Sequence, residues 1–425
     1  MSYSFQTIPT ANSVPYCSID IYGQNAVYVD VSNNTQDIYV LTGLNNYPTY
    51  SLLPIPWPQD ISQNDYQLRS MNILTYQDSF YLCASFFQAP YILDDSGNVF
   101  DGQALLYLYS QATSEWQPLY LSLTDTRGGY YSSITSQNNT FMVTYTQFII
   151  KGVFDPTINM YVCKRQFRSN AIYYYNVFPD MNNTNVLYMV PQSNEYYWNA
   201  PTCYFWNGPM NVLSDNGKYV YGVSLWDASK NNLLKVVSNR SNNATNYTGT
   251  LIMDIMQYDL LLNQWTSTGF DNVSIANSVT GIYSTINKLY VMCNVNAIAI
   301  YESNSMQWTT SIMSPTNDNT IYDNGNFMTY SISVNCYTDA SNIDHVFVLT
   351  NDSSNNGFMY VSSDNGTNWV AQNVENYFSA WSCLSCSMNG TLLLADYSNN
   401  SQSVEDASAP PPGAMLYLGI LTTTN

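Results

Sequence analysis

Apolar and polar positions alternate along most of this chain, and runs of helical period are nearly absent. Alternation with period two is the signature of a strand that buries one face. The strands come in a recurring unit. A short strand meets a polar turn, and a second strand of type apolar-Tyr-apolar follows. Met71-Asn72-Ile73-Leu74 and Phe80-Tyr81-Leu82-Cys83 form one copy. Met210-Asn211-Val212-Leu213 with Tyr219-Val220-Tyr221-Gly222 forms a second, and Ile282-Tyr283-Ser284 with Leu289-Tyr290-Val291-Met292 a third. Further copies start near Ile19, Ile134, Tyr173, Ser333 and Leu384. The spacing averages roughly 50 residues, within the range of propeller repeats.

A second signal closes many units. An aromatic residue and an acid or Ser precede a turn, and an aromatic residue follows six positions after the polar one. The copies are Tyr109-Ser110 with Trp116, Phe154-Asp155 with Tyr161, Tyr258-Asp259 with Trp265, and Tyr301-Glu302 with Trp308. Asp and Ser in such places bond the turn backbone. The following ring is then expected to fill the wedge between neighbouring sheets. The pattern predicts an all-β fold, a β-propeller of seven or eight four-stranded blades in one domain spanning 1–425. Eight units are counted. The one from Tyr173 to Trp206 is short enough to be an elaboration of its neighbour, which would leave seven.

The last unit ends with Met415-Leu416-Tyr417-Leu418-Gly419-Ile420 and lacks an outermost strand. Tyr3 to Ile8 precede the first unit and match nothing else. They are expected to supply that strand and so close the ring, because an unpaired edge invites association. Long insertions are expected near 88–102, 236–249 and 400–413, the last containing Pro410-Pro411-Pro412.

The Tyr-Asp to Trp step resembles the end of a kelch repeat. Ser362-Ser363-Asp364-Asn365-Gly366-Thr367-Asn368-Trp369 resembles the Asp-box of sialidase-like propellers through Ser362, Asp364, Gly366 and Trp369. Asn368 stands where that family usually has Thr. Kelch repeats carry a Gly-Gly doublet in each blade, and Gly128-Gly129 is the one here. The resemblance covers turns rather than whole blades. It implies a fold and no activity, since both motifs are structural.

Composition sharpens the class. Charged residues make up 10% of the chain, hydrophobic residues 45% and aromatic residues 15%, with 39 Tyr. A folded core is therefore expected despite the low charge. With 11 basic and 30 acidic residues the net charge is -19, which argues against nucleic acid and anionic membrane as partners. No run reaches the length of a membrane helix. Met1-Ser2-Tyr3-Ser4-Phe5 lacks the basic start and apolar stretch of a signal peptide. Either a signal was removed or the protein leaves the cell by another route, such as on a virus particle. Sequons at Asn33, Asn138, Asn182, Asn239, Asn243, Asn246, Asn272, Asn351, Asn365, Asn389 and Asn399 suit glycosylated loops of an extracellular or virion-surface protein.

Candidate chemistry is sparse. Eight cysteines fit either disulfides or buried thiols. Cys383 and Cys386 have metal-ligand spacing, but no second pair and no nearby His accompanies them. His345 is the single histidine and sits in a strand-like run, which reads as structural and excludes multi-histidine metal centres. Five arginines (Arg69, Arg127, Arg165, Arg168 and Arg240) leave no sialidase-type three-Arg clamp at the start of the last three units. Asp94, Ser96, Asn98 and Asp101 space oxygen ligands as calcium loops do, but the terminal bidentate Glu is missing and a plain hairpin tip explains them better. Calcium is the one cofactor these residues suggest. The runs Tyr173-Tyr174-Tyr175 and Tyr196-Tyr197-Trp198 suit stacking against sugar or protein, or packing between blades.

The expectation is a non-enzymatic surface protein acting in adhesion, receptor binding or lattice assembly. Its partners would be further copies of itself, another surface protein or a glycan. Two other roles stand beside it: a lectin with a shallow site in each blade, and a glycoside hydrolase or lyase using acids and Tyr in a central channel.

Overall fold

The computed structural model describes residues 2–10, 14, 16–32, 35–44, 48–57, 66–76, 79–88, 91–92, 99–100, 103–121, 133–137, 140–144, 148–167, 175–179, 187–191, 210–212, 219–227, 232–238, 252–259, 262, 264–275, 279, 281–285, 287–293, 297–313, 330–351, 357–372, 380–397 and 415–422. Among them are seven four-stranded sheets, one three-stranded sheet and a two-stranded ribbon. Sheet I comprises Tyr16–Ile19, Asn25–Ser32, Thr35–Thr42 and Thr49–Leu53. Sheet II comprises Tyr66–Tyr76, Ser79–Gln88, Gln103–Ser110 and Glu115–Leu121. Sheet III comprises Ser133–Gln137, Thr140–Thr144, Phe148–Asp155 and Met160–Phe167. Sheet IV has Tyr175–Pro179, Leu187–Pro191 and Met210–Val212. Sheet V has Tyr219–Asp227, Asn232–Ser238, Met253–Asp259 and Gln264–Ser267. Sheet VI has Gly281–Ser284, Lys288–Met292, Ala297–Glu302 and Gln307–Ile312. Sheet VII has Tyr330–Thr338, Asp344–Asn351, Gly357–Ser362 and Val370–Gln372. Sheet VIII joins Ala380–Cys386, Leu392–Tyr397 and Met415–Thr422 to the N-terminal strand Ser2–Pro9.

The N-terminal strand lies on the free edge of Met415–Thr422, antiparallel, from Ser2 opposite Thr422 to Pro9 opposite Met415. That is the place expected for Tyr3 to Ile8. One expected hairpin does not form. Met210–Val212 runs parallel to Leu187–Pro191 in sheet IV, while Tyr219–Asp227 pairs with Asn232–Ser238. Sheet V fills its four places from residue 219 onward, so the earlier strand is left to its predecessor. The expected insertion at 236–249 also starts late, since Val236 to Ser238 are still strand. Part of the 88–102 segment is ordered as the ribbon of Tyr91–Ile92 and Val99–Phe100. The segment 400–413 lies outside the described residues. All three insertions fall between the second and third strands of their sheets.

The chain divides into two compact units, Met1–Pro54 with Thr250–Asp254 and Thr268–Asn425, and Ile55–Gly249 with Ile255–Ser267. In the first, strand alternation sends successive residues to opposite neighbours. Leu392 and Leu394 pack against Phe347 and Leu349 of sheet VII. Leu393 and Ala395 pack against Ile19, Ala26 and Tyr28 of sheet I. Val346 and Val348 turn the other way, onto Tyr290, Met292 and Ile298 of sheet VI. Central strands are therefore apolar on both faces, and Asp344–Asn351 is buried throughout. Each such Leu or Val contributes about 1.5–3 kcal/mol on burial. Fourth strands are half exposed, as in Gln307–Ile312. In the second unit Leu74, Tyr81, Leu106 and Leu108 of sheet II meet Phe141, Val143, Ile150 and Phe154 of sheet III.

The turns between third and fourth strands of sheets II, III and VI share one backbone feature. The residue two before the closing aromatic is left-handed, with φ of 55° at Ser114, 53° at Asn159 and 54° at Met306. Asn tolerates that region, whereas a Met side chain is strained there by about 1–2 kcal/mol. Met306 is exposed and its side chain has no core to fill. Met306→Asn is expected to raise unfolding free energy by about 1 kcal/mol, read from the urea midpoint at unchanged slope.

Candidate interaction surface

Each closing aromatic lies directly opposite the aromatic before its turn. Tyr109 pairs with Trp116, Phe154 with Tyr161, Tyr258 with Trp265 and Tyr301 with Trp308. Their ring centroids are 5.0–5.3 Å apart, a spacing at which cross-strand rings stabilise a hairpin. Asp155 accepts the Thr157 N–H at 2.8 Å and Asp259 the Leu262 N–H at 2.9 Å. Glu302 is one methylene longer and reaches Lys288 Nζ at 2.5 Å. Wedging between sheets varies along the series. Tyr161 packs on Tyr81 of sheet II, with centroids 5.3 Å apart. Trp369 donates its indole N–H to Ser311 of sheet VI at 2.9 Å. Trp308 donates to the Thr268 carbonyl at 2.8 Å and lies against the buried Phe270. Among the described residues the ring contacts of Trp116 are with Tyr107 and Tyr109 of its own sheet. Trp265 likewise lies against Met256 of its own sheet.

The Asp-box residues form a closed knot. Ser362 Oγ donates to Asp364 Oδ1 at 2.8 Å and accepts the Gly366 N–H at 2.9 Å. Asp364 accepts the Asn368 backbone N–H at 2.9 Å and its side-chain amide at 2.6 Å. Partial burial pushes the Asp364 carboxyl upward, but these bonds outweigh it and hold the group below the usual range. Gly366 is left-handed at φ 79°, and a Cβ there would lie 2.6 Å from Ile300 Cδ1. The Ser362 and Asp364 side chains are thus engaged within the turn itself. His345 is buried, stacked on Tyr337 and 3.0 Å from Asp339 Oδ2. That contact, with the Ile343 and Ser341 amides, holds the Asp339 carboxyl down.

Four sequons fall in the described residues. Asn351 is turned into the protein. Its side chain is buried, donates to the Trp381 carbonyl at 3.1 Å and accepts the Trp381 N–H at 2.8 Å. A glycan there would break a bond between sheets VII and VIII. Asn365 is half-buried, and its Oδ1 accepts the Asp344 N–H at 2.9 Å. Asn272 and Asn389 are exposed. Asn33, Asn138, Asn182, Asn239, Asn243, Asn246 and Asn399 lie outside the described residues, as do Asp94, Ser96, Asn98 and Asp101 of the calcium-like loop and the runs 173–174 and 196–198. Cys383 and Cys386 cannot share a metal. Three residues apart on one strand, they face opposite sides, Cys383 towards sheet I and Cys386 towards sheet VII.

Sequence reasoning missed a surface where sheets I and VIII meet. The turn after Ile19 is held by Asp20, which accepts the Gln24 and Asn25 amides at 2.9 Å each. The turn after Cys386 is held by Ser387, Asn389 and Thr391, with Asn389 Oδ1 accepting the Thr391 N–H at 3.1 Å. The two turns are stitched together. The Met388 N–H donates to the Ile21 carbonyl at 3.0 Å, and Asn389 Nδ2 donates to the Tyr22 carbonyl at 2.8 Å. Asp20, Ser387 and Thr391 are buried beneath the turns, and three large apolar side chains are left outside: Ile21 at 44% exposure, Tyr22 at 44% and Met388 at 71%. An exposed apolar group on a hydrogen-bonded polar base suits contact with another macromolecule. The apolar residues at the tips of two turns were the signal available in the sequence. Their adjacency was not.

No protein-family model matches the chain, and no curated protein sequence does. Solved structures of similar shape include the computationally designed Ika8 protein, with a TM-score of 0.52 and 9% identity over 96% of this chain and 97% of that one. The WD40 β-propeller domain of Doa1 gives 0.46 and 9%, covering 99% of this chain and 98% of that one. YCF48 from Cyanidioschyzon merolae gives 0.46 and 10%, covering 97% and 98%. At such identity the likeness concerns fold alone. Consecutive antiparallel four-stranded sheets packed face to face in each unit are the repeat of a β-propeller.

Proposed function

We propose that this chain is an eight-bladed propeller whose N-terminal strand completes the last blade, and that it works by non-catalytic contact on an extracellular or virion surface. The apolar group of Ile21, Tyr22 and Met388 carries this reading. Asp20 and Asn389 beside it are spent on the turns beneath. What faces solvent there is uncharged, and the favoured partner is a further copy of the chain.

The test is sedimentation velocity at tens of micromolar protein, for the native chain and for the double variant Tyr22→Lys, Met388→Lys. The native chain is expected to associate with rising concentration and the variant to stay a monomer with an unchanged melting temperature. Equal sedimentation of the two would remove this surface from the account. Binding on a glycan array would replace assembly with the lectin role, and turnover of a glycoside with the enzymatic one.

A further inference from the structure

We infer that Cys17 and Cys383 form a disulfide that staples the first sheet of the chain to the last. Their sulfurs lie 2.7 Å apart, across 366 positions of sequence. That is inside the reach of two unbonded sulfurs and only roughly 0.7 Å beyond a covalent S–S bond. No other cysteine pair is brought to such contact among the described residues. Cys83 and Cys163 share the junction of sheets II and III, whereas Cys336 packs between sheets VI and VII and Cys386 between VII and VIII.

The surrounding bonds aim the pair. Ser382 Oγ donates to the Val14 carbonyl at 2.6 Å and lies 3.1 Å from the Ala395 carbonyl. The Ile19 N–H donates to Ser385 Oγ at 3.0 Å. The inner strands of sheets I and VIII are thus pinned on both sides of the sulfurs. Cys17 Sγ also points at the Leu393 carbonyl, 3.7 Å away. Nothing needs to move far for the bond to close.

The step needs an oxidant, and a small-molecule disulfide of the glutathione class supplies it. The Cys17 thiolate attacks that disulfide and expels one thiol. The Cys383 thiolate then attacks the mixed disulfide and expels the second. Two protein S–H bonds and one small-molecule S–S bond are lost, one protein S–S bond and two small-molecule S–H bonds are formed, and two electrons pass to the oxidant. Burial pushes the Cys17 thiol well up, with Cys383 adding to the effect. Exchange in the folded chain is therefore slow, so the bond forms as sheets I and VIII meet and then persists. This inference stands apart from the assembly reading.

The test refolds the full chain in an oxidised and reduced glutathione buffer, caps free thiols with N-ethylmaleimide and maps peptides without reduction. The expected result is one linked peptide pair containing Cys17 and Cys383, which separates on treatment with a phosphine reductant. Reductant is also expected to lower the melting temperature by about 5–15 °C. Cys17→Ser and Cys383→Ser should each abolish that shift, whereas Cys83→Ser should keep it. Capping of both Cys17 and Cys383 in the refolded native chain, or linkage of either to another cysteine, would overturn the inference. The peptide map decides even where a serine variant fails to fold.

Discussion

Asp344→Ala is expected to lower unfolding free energy by about 3–5 kcal/mol, the largest effect of any single polar substitution in sheets VI to VIII. Asp344 is 3% exposed. Its Oδ2 accepts hydroxyl hydrogens from Thr285 and Tyr290, both at 2.8 Å, and its Oδ1 accepts one from Thr338 at 2.7 Å. Thr285 and Tyr290 belong to sheet VI and Thr338 to sheet VII, so one carboxylate ties two sheets. Burial, then the Asp344 charge, pushes the Tyr290 phenol far above its ordinary range, so it stays a donor at any working pH. Alanine removes the shared acceptor of the Tyr290 and Thr338 hydroxyls and leaves Thr285 its longer bond to the Lys288 carbonyl at 3.3 Å, and each group that loses its acceptor costs about 1–3 kcal/mol. Asp344→Asn keeps one acceptor oxygen and is expected to lose less than half as much. Urea unfolding of the three chains at neutral pH checks the order. A loss under 1 kcal/mol for alanine would mean that water replaces the carboxylate.

Removal of residues 2–9 is expected to be as severe and to change behaviour as well as stability. The strand supplies a full antiparallel ladder to Met415–Thr422. It also buries Ile8 against sheets I and VIII, and lays Phe5 over Gly419, where a Cβ would come within 2.8 Å of the ring. A net gain of about 0.5–1.5 kcal/mol per ladder bond, plus burial of Ile8, gives a loss on the order of 5 kcal/mol. The truncated chain would also present Met415–Thr422 as an open, apolar edge, which templates pairing with a second chain. Light scattering should show association absent from the native chain, and thermal unfolding should fall by more than 10 °C. Supplying the strand as a peptide should reverse both. A truncated chain that stays monomeric with unchanged melting would show that the last sheet does not depend on this strand.

Much of this architecture is legible from local pattern. Alternation marks the strands, because a half-buried strand must alternate whatever it packs against. The step from Asp155 to Tyr161 or from Asp259 to Trp265 marks the hairpins, because turn, polar acceptor and opposing ring all lie within eight residues. The knot around Asp364 is readable for the same reason. The hairpin expected from Met210 to Gly222 fails where locality fails. Met210–Val212 has the composition of a first strand, yet its partner is decided by which sheet still has a vacant edge.

Sequence by itself determined the class of fold, the positions of most strands, the aromatic pairs across their turns and the N-terminal strand as the missing edge of the last sheet. Only the tertiary structure decided which apolar face meets which neighbour, that the Asn351 side chain bridges to Trp381, that Ile21, Tyr22 and Met388 are exposed on two turns bonded to each other, and that Cys17 faces Cys383. The physical reason is range. A strand or turn is stabilised by residues a few positions away and writes itself into the chain, whereas a contact spanning hundreds of residues depends on how whole sheets stack and leaves no local pattern.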